Sequence, residues 1–407
     1  MILHSCKKSY NSETQRTVPP EETLARVEKA LPAVGITQVI DITDLDRLGI
    51  PVFISLRPSA QSGAVTLHNG KGATPVEAHV SAIMEGIERF SAENNDTSLK
   101  IGRYSTISRE MTALDPEDLI LPRHADPDMP IPWVGGYDLL AKEEIAVPAS
   151  AVFHPLSMEY PQLFRTHTNG IASGNSLEEA VFHALMEVIE RDAWSLVEMT
   201  RDTGPEVVGI NDPLTRDLLE KFSSAGVEVH VKNITSENGI PTFAAVSDDL
   251  LLKDPSLLTI GMGTHTSARI AVLRALTEVA QSRLTQLYHV SKNPSSVDIK
   301  KRMGYERTRR MNRYWFESRS EVEFSDIPSL DSDDFLKDIR LSMETLGRSG
   351  LSRVILVNLT REEIGVPVVR VIVPGLEVYT MDQERIGPRC HEARKRRSAG
   401  ARAGEKL

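Results

Sequence analysis

Cysteine is nearly missing from this chain of 407 residues. Its two copies, Cys6 and Cys390, lie near opposite ends and form no C-x-x-C pair. That excludes a disulfide framework, and a zinc site would need more thiolates or clustered histidines. A reducing compartment is the expected setting. Positive charge is also in deficit, with a formal net charge of −10. A surface of that sign repels phosphate backbones, so nucleic acid is not an expected partner. A nucleotide remains admissible if bridging cations reverse the local field. No apolar run approaches the ~18 residues of a membrane span, and the opening MILHSCKKSYNSETQ has no apolar stretch of the secretory kind. We expect a cytoplasmic protein without membrane contact. The composition, 40% hydrophobic and 26% charged with 25 Gly and 23 Pro, excludes coiled-coil, collagen-like and disordered chains.

What is present is a mixture of strand and helix patterns. Pro20 followed by Glu21 and Glu22 marks a helix start that Gly35 closes. Strand-like runs fall at 38–41, 51–56, 227–231, 242–246, 353–359 and 366–373. Residues 115–136 carry many prolines and read as a surface connection, whereas 293–334 fit no clear pattern. Three further segments, around 68–93, 166–194 and 261–284, each read as a turn that opens an amphipathic helix.

These three segments are copies of one another. SAIMEGIERF, HALMEVIERD and RALTEVAQSR align on Glu85, Glu187 and Glu278. Ala82, Ala184 and Ala275 stand three residues before these glutamates, and Ala78, Ala180 and Ala271 stand seven before. Three residues after them come Glu88, Glu190 and Gln281. A single E-x-x-E pair is more often a solvated helix face than a site. Threefold repetition points instead to one reused module whose equivalent faces meet. As many as five carboxylates would then gather, and like charges tolerate that only with cations present. Magnesium, a hard ion that keeps phosphates in its shell, suits them.

Other signals are weaker. Gly70-Lys71-Gly72 is not a Walker motif, because Gly follows the lysine and the preceding glycine spacing is wrong; it reads equally as a flexible turn feeding the helix and as a phosphate-facing loop. His79, His183 and His265 fit no H-E-x-x-H pattern. Cys390 is not assigned a sulfur-carrying role.

The text NGKGAT followed by an ERF-bearing helix, and then NGIASGNSLEEAVFHALMEVIERD, resembles the YcaO family over nearly the whole chain, from about Arg16 to about Pro374. The resemblance implies ATP and Mg2+ as cofactors and a mixed α/β (α+β) YcaO-like fold, with three repeated strand-and-helix modules forming one composite ATP site. By position, Glu85, Glu88, Glu187 and Glu190 match the family's metal-binding glutamates, and Glu179 matches a further acidic position. Ser81, Asn175 and Gln281 match nucleotide-binding positions, while Arg16 and Thr23 stand where the family has a basic residue and a hydroxyl. Arg283, with Arg89 and Arg191, is expected to contact phosphate or support the glutamates. No residue is assigned to proton transfer. One domain is expected over 1–388, followed by a basic, mobile tail over 389–407.

The implied chemistry is phosphorylation of a peptide backbone amide, which makes its carbon electrophilic toward a nucleophile. The absence of a proline-rich ending disfavours azoline formation, and VPGLEVY resembles the methanogen branch. That branch thioamidates a glycine in the methyl-coenzyme M reductase alpha subunit. A protein or peptide substrate, a TfuA-like sulfur-delivery partner and a homodimer are expected from the resemblance alone. The alternatives are an accessory factor for ribosomal protein methylthiolation, an azoline-forming cyclodehydratase and a non-catalytic peptide-binding scaffold.

Overall fold

Small residues decide how the repeated segments fold. A computed structural model describes residues 2–94, 99–293 and 299–404. In it each copy is a strand at the edge of a sheet, antiparallel to its neighbour, then a short turn and a helix packed back on that strand. The first sheet pairs β1 (Gln38–Asp41), β2 (Val52–Leu56) and β3 (Leu67–Lys71) in sequence order. Helix α1 (Pro20–Val27) precedes it, and β3 feeds helix α2 (Pro75–Ala92).

The second sheet gathers β4 (Lys100–Gly102), β5 (Ile131–Asp138), β6 (Glu143–Pro148) and β7 (Ile171–Ser173), the last feeding helix α3 (Leu177–Thr200). The third comprises β8 (Glu206–Val208), β9 (Val227–Asn233), β10 (Thr242–Asp249), β11 (Thr259–Thr264) and, after helix α4 (Ala268–Lys292), β12 (Glu321–Glu323). Helix α5 (Phe335–Arg348) follows, then β13 (Ile355–Asn358) and β14 (Val368–Ile372) return to the second sheet between β5 and β7. Helix α6 (Pro388–Gly404) is last. No helix among the described residues is long and apolar enough to cross a membrane.

The repeated alanines have a packing cause. A Cβ added to Gly70 on β3 would lie 2.1 Å from the Ala82 nitrogen and 2.2 Å from the Ala78 oxygen. At the equivalent position on β11, a Cβ on Gly263 would lie 2.0 Å from the Ala271 oxygen and 2.7 Å from the Ala275 nitrogen. Strand backbone therefore rests directly on helix backbone, with Ala78, Ala82, Ala271 and Ala275 fully buried between them. The arrangement is cyclic as well. Each helix packs on its own strand and also touches the strand of another module: α2 on β7, α3 on β11, and α4 on β3.

Helices α2 and α3 each begin with a hydroxyl cap. Thr74 accepts from the Glu77 amide and Ser176 from the Glu179 amide. Ser267 makes no such bond, and Ile270 stands where the other copies have glutamate.

Two sequence expectations change. The region 293–334 contains short helices, Ile299–Met303, Tyr305–Met311 and Arg313–Phe316, with Trp315 and Phe316 buried; residues 294–298 lie outside the described ones. Within the segment expected as a tail, residues up to Gly404 form α6. Its first turn is tied down by two hydrogen bonds from Arg389 to Asp192, at 2.6 and 3.0 Å, and by the Cys390 amide donating to Glu377 at 2.8 Å. Asp192 lies far upstream in sequence, so the basic composition of the tail did not reveal it. Residues 405–407 are outside the described ones.

Replacing Gly263 by alanine should destabilise the fold by about 1–3 kcal/mol, because backbone rather than a flexible side chain must yield. Urea unfolding midpoints of the two proteins measure the difference.

Candidate functional site

The cyclic contacts turn one face of α2, α3 and α4 toward a common cavity of about 320 Å³. Of the residues picked out above, Arg16, Thr23, Ser81, Asn175, Gln281, Glu85, Glu88, Glu179, Glu187 and Glu190 all line it. The N-terminal segment closes one wall. Thr17 donates to Glu179 through both its amide and its hydroxyl at 2.8 Å, Thr23 donates to Asn175 at 3.1 Å, and Arg16 contacts His183.

Arg283 is the exception. It is fully buried behind the cavity, paired with Asp46 at 2.7 Å and Asp249 at 3.0 Å. Arg283 follows Glu278 by five residues, whereas Arg89 and Arg191 follow Glu85 and Glu187 by four, and that one-residue offset turns it onto a different face of the helix. Its task is to join the first and third modules.

Sequence reasoning under-read several cavity residues. Glu77 occupies the same capping position as Glu179, so the repeat carried that signal. Lys71 pairs with Glu278, bridging β3 and α4. Arg274, Tyr10 and Glu13 also line the wall, and only the fold brings them there. Cys390 is fully buried, and burial followed by the nearby Glu377 carboxylate pushes its thiol pKa well up, which suits packing rather than reactivity.

The electrostatics are lopsided. Eight glutamates line the cavity against five basic side chains, Arg16, Lys71, Arg89, Arg191 and Arg274. Burial pushes Glu88, Glu187 and Glu190 upward, and neighbouring arginines only partly offset it. Burial acts on Glu278 in the same sense, but Lys71 and Arg191 outweigh it and hold its pKa below the usual carboxylate value. Glu13 is pushed up to about 8 by burial and by the proton it shares with Glu77. Glu88 accepts from the amide and hydroxyl of Ser173 at 2.9 and 2.8 Å, and Glu85 pairs with Arg89 at 3.1 Å.

As they stand, no three carboxylate, histidine or cysteine side chains among the described residues converge on one ion-sized point. Holding a cation requires the glutamates to turn from their present arginine and backbone partners. The donor set nevertheless fits a metal–nucleotide complex: hard oxygen ligands in excess for magnesium, and guanidinium, ammonium, hydroxyl and amide groups for phosphate.

Comparison with known proteins agrees with this chemistry. Residues 69–377 match the family described as YcaO cyclodehydratase, ATP- and Mg2+-binding. A protein of Methanothermobacter thermautotrophicus is 47% identical over 93% of this chain and 99% of its own length. One from Rhizobium leguminosarum bv. trifolii, encoded in the tfuA 3′ region, is 30% identical over 89% of each chain. The structure of YcaO from Methanopyrus kandleri bound with AMPPCP and Mg2+ matches with a TM-score of 0.77 at 33% identity, covering 94% of this chain and 98% of that one.

Arg283→Ala should cost roughly 3–5 kcal/mol of stability by leaving the buried Asp46 carboxylate uncompensated, Asp249 keeping Arg47, while nucleotide affinity at temperatures where the variant is folded stays at the wild-type level; calorimetry measures both. Glu13 supplies a pH test. Its folded-state pKa of about 8 lies above its ordinary value of 4.5, so the unfolded chain releases this proton first and Glu13 subtracts stability as pH rises between the two. Glu13→Gln should therefore flatten the fall in urea midpoint between pH 5 and pH 8.

Proposed function

This chain belongs to the YcaO family, described as ATP- and Mg2+-binding, and on that premise we propose that it activates a peptide backbone amide for sulfur insertion, yielding a peptidyl thioamide. The observation that carries the reading is the cavity's division of charge: carboxylates in excess on three equivalent helix faces, with basic groups set among them. Glu85, Glu88, Glu187 and Glu190, supported by Glu179, are the proposed magnesium ligands. Arg16, Thr23, Ser81, Asn175 and Gln281 are the proposed nucleotide contacts. Lys71 and Arg274 are added to them, because both present charge to the same cavity. Bound magnesium would neutralise the phosphates and stabilise the transferring phosphoryl group. An amide oxygen is a weak nucleophile toward phosphorus, so the protein's share of the work is to fix both partners and exclude water.

Sulfur as the nucleophile is supported by similarity to two methanogen proteins and to one encoded beside tfuA. The proposed target is the glycine of the methyl-coenzyme M reductase alpha subunit, with a TfuA-like protein supplying sulfur and the enzyme acting as a homodimer. A second reading, azoline formation by an internal side-chain nucleophile, is favoured by the family's description as cyclodehydratases.

Mass spectrometry of a peptide spanning the target glycine, after incubation with ATP, magnesium and sulfide, separates the two. The expected product shows exchange of one oxygen for sulfur. Loss of one water would replace thioamidation by azoline formation, and an unchanged peptide in the presence of the TfuA-like partner would overturn the target. Glu85→Ala and Glu187→Ala should each lower peptide-dependent ATP turnover by about 100-fold or more. Wild-type turnover in both would overturn the assignment of the metal ligands.

A further inference from the structure

Behind α3 lies a second, smaller cavity of about 50 Å³ that the ATP site does not use. The two are neighbours: Glu187 lines the first and Val188 the second. Arg370 on β14 and Arg385 both line the smaller one, and each is only 3% exposed.

Neither guanidinium is neutralised by contact. Arg370 donates to the His167 carbonyl at 2.8 Å and lies 3.4 Å from the His167 Nδ1. Arg385 donates to the carbonyls of Ile120 and Leu119, at 2.9 and 2.6 Å, and lies 3.3 Å from the His167 Nε2. It also stacks 3.8 Å above the Phe164 ring. No ion pair among the described residues includes either arginine, and only the fields of Glu187 and Asp382 favour their charged forms. Burial holds Arg370 down to about 9 and Arg385 down to about 10, the direction expected for cations short of counter-charge.

Two cations flank the two ring nitrogens of His167. A neutral imidazole has one acceptor nitrogen, so it can satisfy only one of them. The Nε of Arg370 and the Oδ1 of Asn169, both from cavity-lining residues, are buried without any partner.

A buried, unpaired charge is costly, and water filling the space would not neutralise it. We infer that this cavity binds a small, soft monoanion, and that in the proposed reaction the anion is hydrosulfide, held next to the site where the amide is activated. Apolar side chains such as Val371, Ile372 and Leu376 make up much of the remaining wall, with Asp118 at its edge as the single acidic lining residue; burial and then Asp115 push its pKa up. That wall disfavours phosphate, which is strongly hydrated and demands several donors. Hydrosulfide is weakly hydrated. Its sulfur accepts from the Arg370 Nε, and its single S–H can donate to the Asn169 Oδ1. The role rests on the proposed thioamidation, and its stoichiometry closes without a redox partner. Amide, ATP and HS− give thioamide, ADP and HPO4(2−): a C–S bond forms, the C–O bond breaks, and the amide oxygen leaves on phosphate.

Two measurements test it on the full chain. In the first, the melting temperature is followed against sodium hydrosulfide, and against phosphate at equal ionic strength, at mildly alkaline pH. A saturable rise with hydrosulfide and none with phosphate is expected. No rise with hydrosulfide, or an equal rise with phosphate, overturns the site. The second uses Asn169→Asp, which places a carboxylate beside the arginines. It should keep or raise the melting temperature, abolish the hydrosulfide-induced rise and increase the KM for sulfide at least about tenfold. Persistence of the hydrosulfide-induced rise in this variant overturns the site. If hydrosulfide binds as expected but no peptide is ever thioamidated, the anion site stands and the thioamidation reading falls.

Discussion

The closeness of strand to helix is the constraint on which everything else depends. Where Gly70 and Gly263 meet the alanines of α2 and α4, no room remains for even a methyl group. Contact at that range fixes the rotation of each helix about its own axis, since a small turn would drive a larger side chain into backbone. Once rotation is fixed, the residues three and six positions beyond Ala82 and Ala275 have one direction available. Glu85, Glu88 and Gln281 thus owe their placement to neighbours that carry no chemistry at all.

Charge then takes over where packing leaves off. An excess of carboxylates in a shared cavity opposes folding on its own, and the structure answers in several ways. Backbone amides and hydroxyls satisfy Glu88 and Glu179, Lys71 and Arg89 pair with Glu278 and Glu85, and Glu13 shares a proton with Glu77. These provisional partners are also the groups that a metal–nucleotide complex would displace or recruit. The third module differs in kind. Without a capping glutamate and with Gln281 in place of the second E-x-x-E carboxylate, it adds less negative charge to the cavity than either of the others.

The repeat was legible from sequence because packing and chemistry share one helical period: alanines and glutamates recur in step, and aligning either aligns both. Strands such as β1 and β10 were readable for the ordinary reason that β-branched and apolar residues cluster in them. What escaped reading was whatever depends on partners distant in the chain. Arg283 stands five residues after its module's glutamate where Arg89 and Arg191 stand four after theirs, and Asp46 and Asp249 make it a structural pin. The terminal helix looked unanchored because Asp192 and Glu377 gave no sign in sequence that they would receive it. The prolines of 115–136 concealed most of a strand, β5, whose pairing with β4, β6 and β13 supplies what its own composition does not.

The circular order of contacts, α2 on β7, α3 on β11 and α4 on β3, sets this protein apart from an open array of repeats. A linear stack has two exposed ends that need special caps, and it can lose or gain a unit there. A closed round of three has neither. Each module completes a wall that its predecessor leaves unfinished, so removing one would open the cavity to solvent and strip a neighbour of its packing. Copy number is thereby locked at three. Each position in the round meets different neighbours, so the three copies need not carry the same side chains.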